Sequence, residues 1–210
     1  ALTSGYTAIF VVFALGAAII VRAHTLWGKQ GLGVLVRLAG AALLTLFLGF
    51  LVLHPYQALQ VSRPLPSAGD FTSTLQMYLS SNSHVHYGTW GQSFYASAPD
   101  SFFPGVVALL LTVIALSSWT ASVPKRVRSM IIAIAVIGTV MSLGTLTPVY
   151  SWFYDFLPPI QSLRAPERFG ILVYFSVAVL AGVGLTRLCQ YVVPSWKGPV
   201  AVALLLVAMV

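Results

Sequence analysis

The sequence predicts an all-α protein: a polytopic transmembrane helix bundle of five full spans and a truncated sixth, with a short interfacial helix in a long outer loop. Three observations predict it. Apolar residues make up 58% of the 210-residue chain and charged residues only 7%, against roughly 25% charged in a soluble domain. The apolar residues gather into runs near the roughly 20 residues that cross a hydrocarbon core as helix. The cations are sorted between alternate connections. So few charges cannot cover a water-facing surface, and lipid is the expected solvent for most of the chain.

The runs follow in order. The first is Tyr6 to Val21, closed by Arg22. The second is about Gly33 to Leu53, with Arg37 near its start and able to snorkel to the interface. The third is Phe102 to Trp119, with Pro104 expected in its first turn, where proline is tolerated. The fourth is Met130 to about Val149, and the fifth is Gly170 to about Cys189. The sixth begins at Pro199 and would rise only about 18 Å by Val210. The chain opens on Ala1-Leu2-Thr3 with no signal-peptide pattern. These ends predict a fragment of a longer protein, a single transmembrane domain over 1–210.

The net charge is +7. A nucleic-acid binder gathers its cations on one face, whereas here they stand in small groups between apolar runs, so nucleic acid is excluded as a partner. Connections at about 22–33, 120–129 and 190–198 are basic, drawing on Arg22, Lys29, Arg37, Lys125, Arg126, Arg128, Arg187 and Lys197. The positive-inside rule puts them in the cytoplasm. The segments 54–101 and 150–169 then face outward with all four acids, Asp70, Asp100, Asp155 and Glu167. This is the topology of a multi-pass protein of the bacterial cytoplasmic membrane, with membrane lipids as its first partners. Tyr6, Tyr56, Tyr150, Trp152 and Tyr154 mark the outer headgroup level, and Trp27, Trp119 and Trp196 the inner one. Small residues at Gly40 and Gly49, and the pairs Gly138 with Ser142 and Ala178 with Gly182, predict close helix approach. No charge deep within a run suggests an ion or proton path. The lone Cys189 has no partner for a disulfide.

In the first outer loop, Asp70 suits a helix cap, and Phe71, Leu75, Tyr78 and Leu79 share a face at helical spacing. They predict two to three turns of helix on the outer membrane surface or against the bundle. His84 and His86 would project together from a strand, with His54 or Asp100 to join them. Zinc needs three or four ligands, so the expectation is no metal and no other cofactor. In the second loop, Pro158 and Pro159 break any helix. Pro166 and Glu167 suit the first turn and positive end of the fifth helix. Arg164 and Arg168 stand just outside it. One reading makes them ion-pair partners of Glu167 and Asp155. The other gives them an anionic phosphate, held by the planar guanidinium fork.

The order Ser62-Arg63, then Phe103-Pro104-Gly105, then LPPIQSLRAPERF over 157–169 and VLAGVGL over 179–185 resembles the YfhO type of large bacterial membrane protein. That type is related to the GT-C glycosyltransferase superfamily. The resemblance implies a multi-spanning inner-membrane protein that transfers or handles sugars from polyprenyl-phosphate-linked donors at the outer face. It also implies a catalytic Asp or Glu in a first outer loop that this chain does not contain. Glycosyl transfer needs a carboxylate base and positive charge for the leaving phosphate. Asp70 and Asp100 are the fallback candidates for the base, though a helix cap and a turn beside Pro99 account for them as well. Arg164 and Arg168 are the candidates for the phosphate. A transporter or flippase predicts charges within the helices or broken helices in matching halves. A noncatalytic assembly protein predicts outer loops that bind a partner.

Overall fold

The computed structural model describes residues 3–26, 73–81, 87–95, 101–117, 124–157, 160 and 165–191, with further single positions between 31 and 51 and between 196 and 203. Every described element is helical, with no strand among the described residues. Among the described residues five α-helices of nine residues or more stand out: α1 (Thr3–Leu26), α2 (Val106–Ser117), α3 (Lys125–Ser142), α4 (Pro148–Phe156) and α5 (Gly170–Tyr191), with a short helical segment at Tyr87–Gly91 and Gln92–Tyr95. Single 3-10 turns lie at Leu75–Tyr78, Gly144–Leu146 and Pro166–Phe169, the last leading into α5. The stretch Pro166–Gln190 is long and apolar enough to cross a membrane, while Ile9–Arg22 and Val106–Ser117 are shorter apolar helices.

Local chemistry sets the helix ends. Pro166 opens the turn before α5 with Glu167 beside it, as the sequence leads one to expect. The third run differs. Gly105 has φ +96°, a left-handed conformation open to glycine, so α2 begins at Val106 and Pro104 lies before the helix. The fourth run differs more. Its helix starts at Lys125, five residues before Met130, and stops at Ser142. Gly144, with φ +52°, turns the chain, and Val149 belongs to α4, which opens on Pro148. The last carbonyls of α3 find partners nearby: Leu143 N–H donates to Thr139 O at 3.2 Å, and Thr147 Oγ1 to Val140 O at 3.0 Å.

Helix α5 is central, packing along both α2 and α3, and α1 packs along α3. Contacts fix the directions. Tyr174 Oη donates to Ser101 O (3.2 Å), Thr112 Oγ1 to Val177 O (3.3 Å) and Arg187 Nη1 to Ala115 O (3.2 Å), so α2 and α5 are parallel. Gly138 faces Leu172 and Ile131 packs with Leu180, so α3 is antiparallel to α5. Ile9 and Phe10 join Met141, Tyr150, Phe169 and Leu172 in one core cluster, so α1 starts where α3 ends. One end of the molecule therefore holds the starts of α1, α2 and α5, the end of α3, and α4. The other holds Arg22, Lys125, Arg126, Arg128 and Arg187.

The close approaches are not all where small-residue spacing puts them. Gly138 does meet Leu172, where a Cβ would fall 2.8 Å from Leu172 Cβ. Gly182, however, has nothing within 4 Å, and the tight contact belongs to Gly184 against the Leu111 backbone. Tyr150, expected at a headgroup border, is fully buried, because α4 turns it into the core cluster. Trp152 does stand exposed. Arg187, assigned to a connection, lies inside α5 and is buried.

Candidate functional site

The expected surface helix of the first outer loop is a single 3-10 turn among the described residues. Leu75 is 66% exposed and Leu79 48%, while Met77 is buried, so the apolar face read from spacing is not the packed one. Hydrogen bonding explains the change. Ser73 donates both its N–H (3.1 Å) and its hydroxyl (2.8 Å) to Ser142 O, the terminal carbonyl of α3. Phe102 N–H donates to Met77 O at 2.9 Å and Phe103 N–H to Ser80 O at 3.2 Å. These partners tie the segment to α3 and to the chain entering α2, and the carbonyls that a longer helix would use are already engaged. Tyr78 Oη lies 2.6 Å from Ser142 Oγ, which itself donates to Thr139 O at 2.8 Å. Burial holds the Tyr78 phenol above its ordinary pKa, against the smaller opposing effect of its hydrogen bonds to Ser142 and Thr139. Tyr78 is thus a neutral hydrogen-bonding group and not a base.

The turn before α5 sits beside this cap. Phe169 is fully buried, with its ring 4.8 Å from Phe10 and 5.2 Å from Phe13 in edge-to-face contacts. Pro166 is buried too, and a Cβ on Gly170 would meet the Phe102 ring at 3.1 Å. Between these anchors Glu167 is half-buried and Arg168 is exposed. Asp155 is exposed on α4, whose Tyr150 packs in the same cluster as Phe169.

The structure therefore brings Glu167, Arg168 and Asp155 to one end of the molecule. Arg164, Asp70, Asp100, His54, His84 and His86 lie outside the described residues. Among the described residues no group of His, Cys, Asp or Glu could hold a metal ion. What stands there is a guanidinium on a turn fixed from both sides, suited to an anion. The Ser73–Ser142–Tyr78 network was not foreseen. Ser142 reads as a small residue in an apolar run, and nothing local connects it to a serine 69 positions earlier.

Comparison of the chain with protein-family models, curated proteins and solved structures finds no match.

Proposed function

We propose that this chain is part of a multi-pass protein of the bacterial cytoplasmic membrane that transfers or handles sugars from polyprenyl-phosphate-linked donors at the outer face. In this reading Arg168 and Arg164 hold the donor phosphate. Membrane embedding is supported by apolar side chains on the outward helix faces, such as Ile20, Leu110, Val113, Val136, Ile171 and Phe175, each more than half exposed. It is supported too by the gathering of Arg22, Lys125, Arg126, Arg128 and Arg187 at one end, while Asp155 and Glu167 stand at the other beside Arg168. The observation that carries the phosphate reading is the exposed Arg168 on a turn clamped by Pro166 and Phe169, at the start of a helix long enough to span a bilayer. The planar guanidinium fork loses less freedom per hydrogen bond formed than a flexible ammonium, and the positive end of α5 adds to its charge. Asp70 and Asp100 remain the candidates within this chain for a carboxylate base.

The test uses the full-length protein in nanodiscs and measures binding of a polyprenyl phosphate. Arg168→Gln and Arg164→Gln should each weaken binding by about tenfold, the value of one charge-assisted hydrogen bond, with membrane insertion intact. Unchanged binding in both variants would return the arginines to ion pairing within the loop.

A further inference from the structure

We infer that α4 seats in the outer boundary between lipid headgroups and acyl chains, through an apolar sector formed by Val149, Trp152 and Phe156. The inference rests on the membrane reading above but uses none of its donor-site residues.

The sequence of α4 divides the helix into three sectors, because successive residues turn by about 100°. Tyr150 points into the core cluster, and Phe153 and Tyr154 pack against that cluster on either side of it. Ser151 and Asp155, one turn apart, form a polar edge, and Asp155 is exposed. Pro148, Val149, Trp152 and Phe156 complete the circle and are all exposed, Trp152 by 56% and Phe156 by 67%. The Trp152 and Phe156 rings lie 5.3 Å apart, so they present one aromatic surface. Leu146, in the turn just before α4, is exposed as well.

The place of α4 along the bundle sets its depth. Phe153 meets Phe13 of α1 with ring centroids 5.2 Å apart, and Phe13 meets Phe169 at 5.2 Å in turn. The helix is therefore level with the turn that opens α5. The 22 residues of α5 rise about 33 Å, against a hydrocarbon core of about 30 Å. A bilayer spanned by α5 thus ends near Phe169, and α4 lies at its edge.

That level selects lipid as the cover for the apolar sector. An indole favours the headgroup zone, where its ring meets the acyl chains and its N–H stays near water. A polar edge running beside an apolar face is the arrangement of a helix held at this boundary. A protein partner fits less well. Nine residues of helix are about 13 Å long and about 10 Å across, and offer on the order of 130 Å². A stable protein interface takes about 800 Å² from each side.

The test is nitroxide accessibility in the full-length protein, with its cysteines replaced by serine, in phosphatidylcholine vesicles. Trp152→Cys and Phe156→Cys are spin-labelled one at a time. Asp155→Cys serves as the reference for water, and Val136→Cys, on the exposed face of α3, as the reference for lipid. Collisions with oxygen, which partitions into lipid, are compared with collisions with a water-soluble nickel chelate. The oxygen-to-nickel ratio at Trp152→Cys and Phe156→Cys should be severalfold above that at Asp155→Cys and below that at Val136→Cys. Either label decides the matter if the other variant fails to insert. A ratio equal to that at Asp155→Cys, with Val136→Cys in lipid, would put the sector in water and overturn this inference alone. Protection from both reagents would identify a protein partner and overturn it as well. A water-like ratio at Val136→Cys would instead sink the membrane reading, and this inference with it.

Discussion

The seam between α2 and α5 and the cap over the end of α3 hold the molecule together by different means. In the seam, Gly184 lets α5 close onto the Leu111 backbone, and Ala115, Ile131 and Leu180 fill the space beside it. Its polar contacts include Thr112 to Val177 O and Arg187 to Ala115 O. In the cap, Ser73, Ser142 and Thr147 satisfy backbone carbonyls that α3 leaves at its end, and Tyr78 hydrogen-bonds the Ser142 hydroxyl. Shape decides the first region and hydrogen bonding the second. A seam of this kind tolerates no added atom, whereas a network of hydroxyls can lose one bond and keep the others.

The largest effect expected from that difference is at Gly184. Gly184→Ala puts a methyl group into the Leu111 backbone and must push the helices apart, at a cost of about 3 kcal/mol, the upper end of the range for overpacking. Gly182→Ala, two residues away with nothing within 4 Å, should cost nothing. Thermal unfolding in detergent, followed by circular dichroism, compares the two directly. Equal midpoints would mean that α2 and α5 are not in close contact. Next in size is Arg187→Met, which keeps much of the volume but removes the donor to Ala115 O. It should destabilise by about 2 kcal/mol by leaving a buried carbonyl short of a partner. Arg187→Lys should recover part of the loss in the same unfolding assay.

The seam and the cap also differ in how legible they are in the sequence. Helices are announced by apolar runs, and the fifth run is close to α5 as observed. Pro166 and Glu167 mark its start because their effects are local. The boundaries that slipped were set by backbone conformation: Gly105 and Gly144 adopt positive φ, which apolar periodicity does not encode. Gly182 and Gly184 look alike as letters, and only the rotation of α5 against α2 distinguishes them. The cap was hidden for the same reason on a larger scale. Leu75 and Leu79 read as part of one apolar face meant for the membrane surface or the bundle, but the bonds from Ser73 to Ser142 O and from Phe102 to Met77 O turn Met77 inward instead. Of the candidate site, Arg168 and Glu167 were visible as charges at a helix start. That Phe169 anchors their turn follows from its packing with Phe10 and Phe13, more than 150 positions earlier in the chain.

The smallest expected effect is in the cap, at Tyr78, and it carries a pH signature that the seam lacks. Tyr78→Phe removes one hydroxyl, but Ser142 Oγ keeps its bond to Thr139 O at 2.8 Å, so no buried donor is stranded. The loss near neutral pH should be about 1 kcal/mol. Burial raises the Tyr78 pKa above its ordinary 10.0, so the folded state holds this proton more tightly than the unfolded chain. The stabilisation is therefore complete below about pH 10 and fades as pH rises through the folded-state value. Unfolding midpoints from about pH 7 to about pH 11 should fall more steeply at the alkaline end for wild type than for Tyr78→Phe. The difference between the two curves reports this phenol together with its coupling to Tyr174. Ser142→Ala sharpens the point: it removes a hydrogen bond that lowers the Tyr78 pKa in the folded state, so its alkaline fall should begin at the same pH as that of wild type but run on to higher pH. Parallel curves for wild type and Tyr78→Phe would show that Tyr78 is solvated, and the cap would then depend on Ser73 and Thr147 alone.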